Sequence, residues 1–200
     1  LVTGAGKGLG RTIALGLAQA GANVALLART AADLEAVADE VRASGRDAMV
    51  LPADATRSLE IDAAVAKAVQ RFGTIDVLVH AAGGSLRKPA LEIVDDEWEQ
   101  VIASNLHSTF YVCRAVGRVM VAQGKGSIIN IASAAGLRGR PSNAPYSAAK
   151  AGVINLTRAL AREWASSGVR VNAIAPGRFL TPLTEEEMSD PARYQAFVRQ

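Results

Sequence analysis

The stretch T-G-A-G-K-G-L-G, from Thr3 to Gly10, decides the fold of this chain. Its glycines follow a short apolar segment and precede an Ala- and Leu-rich helical pattern. Glycine permits a tight turn and lets a phosphate approach the backbone, and the N-terminus of the following helix offers N–H groups to an anion. In this strand–turn–helix setting, the glycines predict a dinucleotide-binding loop rather than a purely structural turn.

Strand and helix patterns alternate along the rest of the chain. Helical patterns cover about residues 9–20, 31–44, 58–72, 95–123 and 146–166, with Ser58 as the expected N-cap of the third helix. Apolar runs typical of buried strands separate them, namely NVALLA, DAMVLPAD, IDVLVHAAG, GSIINIAS and VRVNAIAP. Repeated β-α units imply a parallel sheet with helices on both faces. The sequence therefore predicts one three-layer, doubly wound α/β domain of the Rossmann type over residues 1–200.

Composition narrows the class of protein. Half of the 200 residues are hydrophobic, the net charge is only +3, and Lys and Arg are scattered. We therefore expect no nucleic-acid partner, and no apolar run approaches the ~18 residues of a membrane span. The single cysteine, Cys113, rules out an intrachain disulfide and favours a cytoplasmic location. No metal site is predicted.

The two ends of the sequence look incomplete. Residues 1–3 are a fragment of a strand, and the chain stops inside the helix-like stretch PARYQAFVRQ. We therefore expect a few further residues before Leu1 and a further segment after Gln200. Weak patterns over residues 178–200 predict a lid above a substrate.

The second strand bears on cofactor choice. Rossmann sites that prefer NAD carry an acid about twenty residues beyond the glycine turn, where it binds the ribose hydroxyls. Here the strand ends in Ala28-Arg29-Thr30, which offers a guanidinium and no carboxylate, and Lys7 adds a cation inside the turn. These cations favour a 2′-phosphate, against the alternative that both are solvated surface residues. We expect NADP(H) to be preferred, with NAD(H) as the alternative.

The stretch Y-S-A-A-K places Tyr146 four residues before Lys150, on one face of a helix. A free tyrosine has a pKa of about 10 and is a poor base at neutral pH. A cation about 4 Å away is worth roughly 4 kcal/mol at an effective dielectric of 20, enough to lower that pKa by up to about 3. We therefore expect Lys150 to lower the pKa of Tyr146 so that the phenol can exchange a proton with a substrate.

TGAGKGLG, YSAAK and NAIAPG together resemble the short-chain dehydrogenase/reductase family, over essentially all 200 residues. The resemblance implies the catalytic set Asn105, Ser133, Tyr146 and Lys150. With the two cations above, the expected cofactor contacts are Gly4, Lys7, Gly8, Leu9, Gly10, Arg29, Thr30, Asp54, Ala55, Ala81, Ala82, Gly83, Tyr146, Lys150, Pro176, Gly177 and Thr181.

One motif departs from the family pattern. The family usually carries Asn-Asn-Ala-Gly after the fourth strand, where this chain has His80-Ala81-Ala82-Gly83. The small residues can still line a cofactor, but the hydrogen bond that an asparagine side chain makes across the sheet is in doubt. His80 could supply a substitute, and a second catalytic histidine is the less favoured interpretation.

The resemblance also suggests substrates. Within the family the chain looks most like gluconate 5-dehydrogenases, which act on a sugar acid, and next like 3-oxoacyl-carrier-protein reductases. A catalytically silent dinucleotide sensor is a rival, although a sensor has no need of all four catalytic residues. Cations near the expected mouth of the site predict a small anionic substrate: Arg87, Lys88, Arg138, Arg140 and Arg178. The resemblance further implies a homo-oligomer, a tetramer or a dimer, built on the helices near 105–123 and 146–166.

Overall fold

A parallel sheet forms the centre of the molecule. The computed structural model describes residues 1–177 and 179, and within them the sheet has six strands in the order β3-β2-β1-β4-β5-β6. The strands are β1 (Val2–Thr3), β2 (Val24–Ala28), β3 (Ala48–Pro52), β4 (Val77–His80), β5 (Gly126–Ile131) and β6 (Val169–Ile174). All their pairings are parallel. The predicted α/β sheet is confirmed.

Helices cover both faces of this sheet. In the described part of the chain they are α1 (Gly8–Gln19), α2 (Ala31–Ala43), α3 (Ser58–Phe72), α4 (Asp95–Ile102), α5 (Ser108–Gln123) and α6 (Ala144–Trp164). Successive strand residues point to opposite faces, so Leu26 belongs to the core beneath α1 and α2, whereas Leu27 belongs to the core that α3, α5 and α6 cover. The central strands β1, β2 and β4 are accordingly buried on both sides.

Several helix boundaries differ from the sequence prediction. Ser58 is the first residue of α3 and not its N-cap, which is Arg57 in an extended conformation. The single helix expected over residues 95–123 is interrupted by a π-helical segment, Ala103–His107, hereafter the π turn. Helix α6 begins two residues early because Pro145 fits its first turn, where the missing N–H costs nothing.

The strand order creates a crevice above the sheet. The chain winds outward from β1 to β3 in one direction and then from β4 to β6 in the other, so the direction reverses between β1 and β4. In doubly wound sheets, ligands bind at the carboxyl ends of the strands at such a reversal. The predicted lid over 178–200 lies outside the described residues, apart from Phe179. None of the helices among the residues described is long and apolar enough to cross a membrane.

Candidate active site

A cleft of about 940 Å³ opens at the carboxyl ends of the central strands. It is lined by nearly every residue that the sequence predicted for a site, namely Gly4, Lys7, Gly8, Leu9, Gly10, Arg29, Thr30, Asp54, Ala55, Ala81, Ala82, Gly83, Asn105, Ser133, Tyr146, Lys150, Pro176 and Gly177. The remaining one, Thr181, lies outside the described residues. The fold thus brings residues from the first and last thirds of the chain to one surface.

The glycine turn is shaped to hold an anion. Gly4 and Gly8 have φ of +66° and +54°, a region that favours glycine, and a side chain on Gly10 would collide with the carbonyl oxygen of Gly4. Helix α1 begins at Gly8, and its N-cap, Lys7, makes no side-chain capping bond. The first N–H groups of α1 therefore remain available to a phosphate at the positive end of the helix dipole.

Charged side chains cluster at one end of the cleft, hereafter the charged end: Lys7, Arg29, Asp33 and Asp54. Lys7 Nζ lies 3.1 Å from the Asp33 carboxylate. Asp54 accepts bonds from the Thr56 N–H at 2.9 Å and the Thr56 hydroxyl at 2.8 Å. Burial alone would raise the pKa of Asp54, but these two bonds and the nearby Arg29 guanidinium lower it. Asp54 is thus a fixed, ionised acceptor beside Arg29.

Asp33 is the residue that sequence reasoning missed. The end of β2 carries no acid, but α2 supplies one in its first turn, four residues after Arg29. Its approach depends on Gly6, since a Cβ there would lie 2.9 Å from Asp33 Cβ. A search of all residues about twenty positions beyond the glycine turn, and not only of the end of β2, would have identified Asp33.

The opposite end of the cleft, hereafter the buried end, holds Asn105, Ser133, Tyr146 and Lys150. Lys150 is only 5% exposed, and its Nζ donates to the Ile131 carbonyl at 2.8 Å. The same Nζ lies 5.6 Å from the centroid of the Tyr146 ring. Burial lowers the pKa of Lys150 to about 8. The i, i+4 spacing in α6 and the position of β5 beneath it bring these groups together.

Lys150 was expected to lower the pKa of Tyr146, but the structure indicates the opposite direction. The pKa of Tyr146 is raised, chiefly by burial, and the opposing influences are a hydrogen bond with Ser133 and the charge of Arg140. Lys150 is directed at the Ile131 carbonyl and faces the tyrosine ring. The prediction of a pKa lowered by Lys150 is therefore wrong for this structure, because burial is a tertiary effect that the i, i+4 spacing does not report. The phenol is protonated at neutral pH.

The π turn positions Asn105. Its Nδ2 donates to the carbonyl oxygens of Gly84 at 2.8 Å and Val101 at 2.9 Å, which fixes the orientation of the amide. The buried Oδ1 has no hydrogen-bond partner among the described residues. A Cβ on Gly83 would lie 2.6 Å from this oxygen and 3.5 Å from Lys150 Nζ. Asn105 Oδ1 and Lys150 Nζ thus both lie close to Gly83, where a side chain would collide with the amide oxygen.

His80 forms a buried bridge behind the cleft. Thr3 Oγ1 accepts the N–H groups of Ala81 at 3.2 Å and Ala82 at 3.3 Å, so its own proton goes to His80 Nδ1, 2.8 Å away. His80 Nε2 therefore carries the ring proton and donates to Ser108 Oγ at 3.3 Å. Ser108 in turn donates to the Ser104 carbonyl.

This bridge defines the role of His80. Burial and the Lys150 charge lower the pKa of His80 to about 3, so the ring is neutral. It lies outside the cleft lining and ties β1 to the first turn of α5, next to the π turn. His80 thus forms a polar bridge between β1 and α5. This is the kind of substitute expected at the position where the family usually has asparagine.

The expected cationic rim is only partly brought together. Arg87 and Arg140 line the cleft. Lys88 does not, because its ammonium pairs with the Glu97 carboxylate at 2.9 Å. Arg138 is exposed and also outside the lining, and Arg178 lies outside the described residues. Of the five cations predicted to surround the mouth of the site, the described residues place two, Arg87 and Arg140, in the lining of the cleft.

Comparison with known proteins identifies the family. The family model for short chain dehydrogenase matches residues 1–192. The chain belongs to the short-chain dehydrogenase family. It is accordingly an oxidoreductase that acts on CH–OH and keto groups, and the family, fold and enzyme class expected from the sequence are confirmed.

Its relatives differ in substrate and cofactor. A 3-oxoacyl-[acyl-carrier-protein] reductase of Staphylococcus aureus is 41% identical over 200 residues, covering 100% of this chain and 81% of that protein. A gluconate 5-dehydrogenase of Burkholderia cenocepacia J2315, solved with NADP and tartrate, is 36% identical with a TM-score of 0.94, covering 98% of this chain and 77% of that one. An NAD⁺-bound xylitol dehydrogenase is 37% identical with a TM-score of 0.86, covering 88% and 68%.

Two of these relatives were solved with a nicotinamide dinucleotide, and the lining of the cleft fits such a ligand. The free N–H groups of α1 suit a pyrophosphate, the charged end suits a ribose, and Gly83, Asn105 and Lys150 line the same cleft at the buried end.

Proposed function

We propose that this enzyme interconverts a secondary alcohol and a ketone with NADP(H), and that its substrate is a sugar acid such as gluconate or 5-ketogluconate. The observation that carries the proposal is the meeting of Asn105, Ser133, Tyr146 and Lys150 at one end of a cleft whose other end begins at the glycine turn. A cofactor lying along the cleft would present its reactive ring to the four side chains.

Tyr146 is the proposed proton donor to the substrate oxygen. Its raised pKa keeps the phenol protonated at neutral pH, which suits reduction of a ketone, because the oxygen gains a proton as it becomes an alcohol. The nicotinamide, when bound, supplies or accepts the hydride. Ser133, hydrogen-bonded with Tyr146, is placed to donate to the same oxygen as negative charge develops there.

Lys150 and Asn105 are proposed to support this transfer. An ammonium with a pKa of about 8 is mostly protonated at neutral pH and half-deprotonated near pH 8, so it can return a proton toward Tyr146. Asn105 Nδ2 donates to two carbonyl groups, which fixes the amide so that Oδ1 is the atom available to accept a hydrogen bond. The two residues would relay the proton and hold the nicotinamide ribose.

The preference for NADP(H) rests on Arg29. Its guanidinium lines the charged end and acts electrostatically on Asp54, and a planar guanidinium binds a phosphate through two parallel bonds. The gluconate 5-dehydrogenase relative holds NADP, whereas the xylitol dehydrogenase relative holds NAD⁺. Lys7 contributes less than the sequence suggested, because Asp33 partly neutralises it.

The anionic substrate is supported by the lining of the cleft beyond Tyr146. Arg87 and Arg140 lie there with polar Ser85, Gln100 and Asn143. Such a lining suits hydroxyl groups and a carboxylate, and the charge of Arg140 already reaches the Tyr146 phenol. The gluconate 5-dehydrogenase relative was solved with tartrate, a small hydroxy acid.

A 3-oxoacyl-carrier-protein reductase is the second candidate. It is favoured by the 41% identity to the Staphylococcus aureus enzyme, and an acyl group on an acidic carrier would also be attracted by Arg87 and Arg140. A silent sensor has no observation in its favour, since the four catalytic side chains share one cleft.

We also propose that the enzyme is a homo-oligomer with α5 in the contact. Phe110 on this helix is 40% exposed, with the Arg114 guanidinium 5.3 Å from its ring centroid. Light scattering on the purified protein tests this, and a monomer at all concentrations contradicts it.

The function is tested with a substrate panel. Sugar acids, 3-oxoacyl thioesters and neutral ketones are each assayed with NADPH and with NADH. We expect the keto-sugar acids with NADPH to give the largest kcat/KM. Arg140→Ala should raise KM for an acid more than for a neutral ketone of similar shape, whereas Arg138→Ala, outside the cleft, is the matched control. Turnover of acyl thioesters alone would favour the second candidate, and no turnover with any ketone would favour the sensor.

A further inference from the structure

The end of the π turn depends on a side chain as well as on the backbone. The Ser108 N–H donates to the Ala103 carbonyl, five residues back, whereas an α-helix would direct it to Ser104. The Ser104 carbonyl, which loses that donor, accepts the Ser108 hydroxyl at 2.7 Å. The Ser108 side chain thus replaces the bond that its own backbone gives up where the helix widens.

The ring of His80 sets the direction of this hydroxyl bond. Nε2 carries the ring proton and donates to Ser108 Oγ, so the hydroxyl proton goes to the Ser104 carbonyl. Thr3 fixes this tautomer, because its own proton occupies His80 Nδ1. In the opposite tautomer, Nε2 would accept the Ser108 proton and the Ser104 carbonyl would lose its donor.

His80 is connected to Asn105 by two routes. Along the chain, His80 leads to Gly84, whose carbonyl accepts Asn105 Nδ2 at 2.8 Å. Through its ring, His80 leads by way of Ser108 to Ser104, which directly precedes Asn105. The two routes close a ring of covalent and hydrogen bonds. His80, Ser108 and Asn105 are at most 1% exposed, so water does not readily replace a bond that is lost there.

This closed ring holds one atom of the site, Asn105 Oδ1. Because Gly84 and Val101 occupy Nδ2, the place of Oδ1 follows from the place of the π turn. Oδ1 lies in the buried end with Lys150, where proton transfer requires close and fixed distances. A displacement of about 1 Å in a catalytic group can cost roughly 10²-fold in rate. A small shift of the π turn would therefore be felt in turnover.

We propose that His80 and Ser108 are positioning residues that act through Asn105: they hold the π turn in place and so fix Asn105 Oδ1 in the proton relay. The two ring nitrogens of His80 point in different directions, which lets one side chain bond to Thr3 and Ser108 at once. The kinetic consequence rests on the proposed function. The ordering of the π turn rests on the hydrogen bonds alone.

Hydrogen exchange followed by mass spectrometry tests the ordering without any substrate. We expect Ser108→Ala to speed backbone exchange over residues 103–109 about tenfold, because the π turn loses the hydroxyl bond. Thr157→Val is the matched control. Thr157 is also buried, donates to a carbonyl four residues back, that of Val153, and accepts from the side chain of Asn130. The control should leave exchange over 103–109 unchanged, and unchanged exchange in Ser108→Ala would overturn the proposal.

A second variant tests the part played by His80. His80→Asn supplies a shorter amide, whose two polar groups share one carbon and cannot bond to Thr3 and Ser108 together. Exchange over 103–109 should rise as it does in Ser108→Ala, and combining the two changes should add less than twofold. Exchange as slow as in the unmodified protein, or a full additional increase in the combined variant, would remove His80 from this role.

Turnover tests whether the effect passes through Asn105. With NADPH and the best ketone of the substrate panel, Ser108→Ala should lower kcat about tenfold and change KM less than twofold. In an Asn105→Ala background, Ser108→Ala should lower kcat no further than about twofold. The same loss in both backgrounds, or an equal loss in Thr157→Val, would overturn the positioning role. If the unmodified protein turned over no ketone, the proposed function would be rejected, and hydrogen exchange would still decide whether His80 and Ser108 order the π turn.

Discussion

The two ends of the cleft are built in opposite ways. At the buried end, Lys150 is 5% exposed and Asn105 is fully buried, and each is fixed by hydrogen bonds to backbone carbonyls. At the charged end, Lys7 is 67% exposed and its partner is another side chain. Both ends carry ionisable groups, but water reaches only one of them freely.

This difference in burial separates two tasks. Burial lowers the pKa of Lys150 to about 8 and raises that of Tyr146, so proton affinities at the buried end are set by the fold. At the exposed end, the ion pair between the Lys7 and Asp33 side chains is screened by water and salt and contributes only about 0–1 kcal/mol. The buried end is therefore suited to chemistry, and the charged end to a graded choice between similar ligands.

The largest effect should come from Tyr146→Phe. Removing the phenol hydroxyl takes away the proton donor but keeps the ring, so we expect kcat to fall about 10²- to 10⁴-fold while the dissociation constant of NADPH changes less than about threefold. Single-turnover rates and fluorescence titrations measure the two quantities. Tyr111→Phe on α5 is the control and should leave both unchanged. A variant that kept more than a few per cent of the rate would remove Tyr146 from the acid–base role.

The next largest effect should come from Arg29→Asp. Reversing this charge replaces attraction of the 2′-phosphate by repulsion, and one charge-assisted interaction is worth roughly 1.5–3 kcal/mol. NADPH should bind about 10- to 100-fold more weakly, and NADH should become the better ligand. Arg170→Asp, an exposed change on β6, serves as the control. Equal affinity of the unmodified protein for NADPH and NADH would contradict the assigned role of Arg29.

A smaller effect concerns the His80 bridge and acid stability. The pKa of His80 is about 3 when folded, against 6.5 as its ordinary value. Between these values the unfolded chain binds the additional proton, so the unfolding free energy falls by about 1.4 kcal/mol for each pH unit of acidification. His80→Asn should remove that slope between pH 4 and about 6. Urea titrations measure it, and His107→Asn, at the exposed histidine, should keep the slope. If His80→Asn kept it too, the neutral bridge would be rejected.

Local patterns in the sequence predicted most of the fold, whereas the resemblance to the family supplied most of the expected site residues. The glycine turn, the alternating apolar runs and the i, i+4 pair Tyr146 and Lys150 are short-range features, and their structural consequences follow from φ, period and spacing. The span of α3 was predicted correctly, but its N-cap was misplaced by one residue, because Ser58 is already helical and the extended residue before it is Arg57.

Contacts between distant segments could not be predicted in the same way. Thr3 and His80 are 77 residues apart, and the tautomer of His80 follows only from knowing both of its partners. The pair of Lys7 with Asp33 depends on how α2 packs against the glycine turn, and the raised pKa of Tyr146 depends on burial. The π turn has no periodic signal of its own, since it interrupts one continuous helical pattern.

The separation of the two ends is the central claim, and a double-mutant cycle tests it most directly. Arg29 follows β2 and Ser133 follows β5, so three strand spacings, about 14 Å, lie between the two ends. Hydride-transfer rates and NADPH dissociation constants are measured for Tyr146→Phe, Arg29→Asp and the double variant. We expect each effect to be the same in either background within about twofold, as for independent sites. A coupling of more than about threefold in either quantity would contradict the division of tasks between the buried end and the charged end.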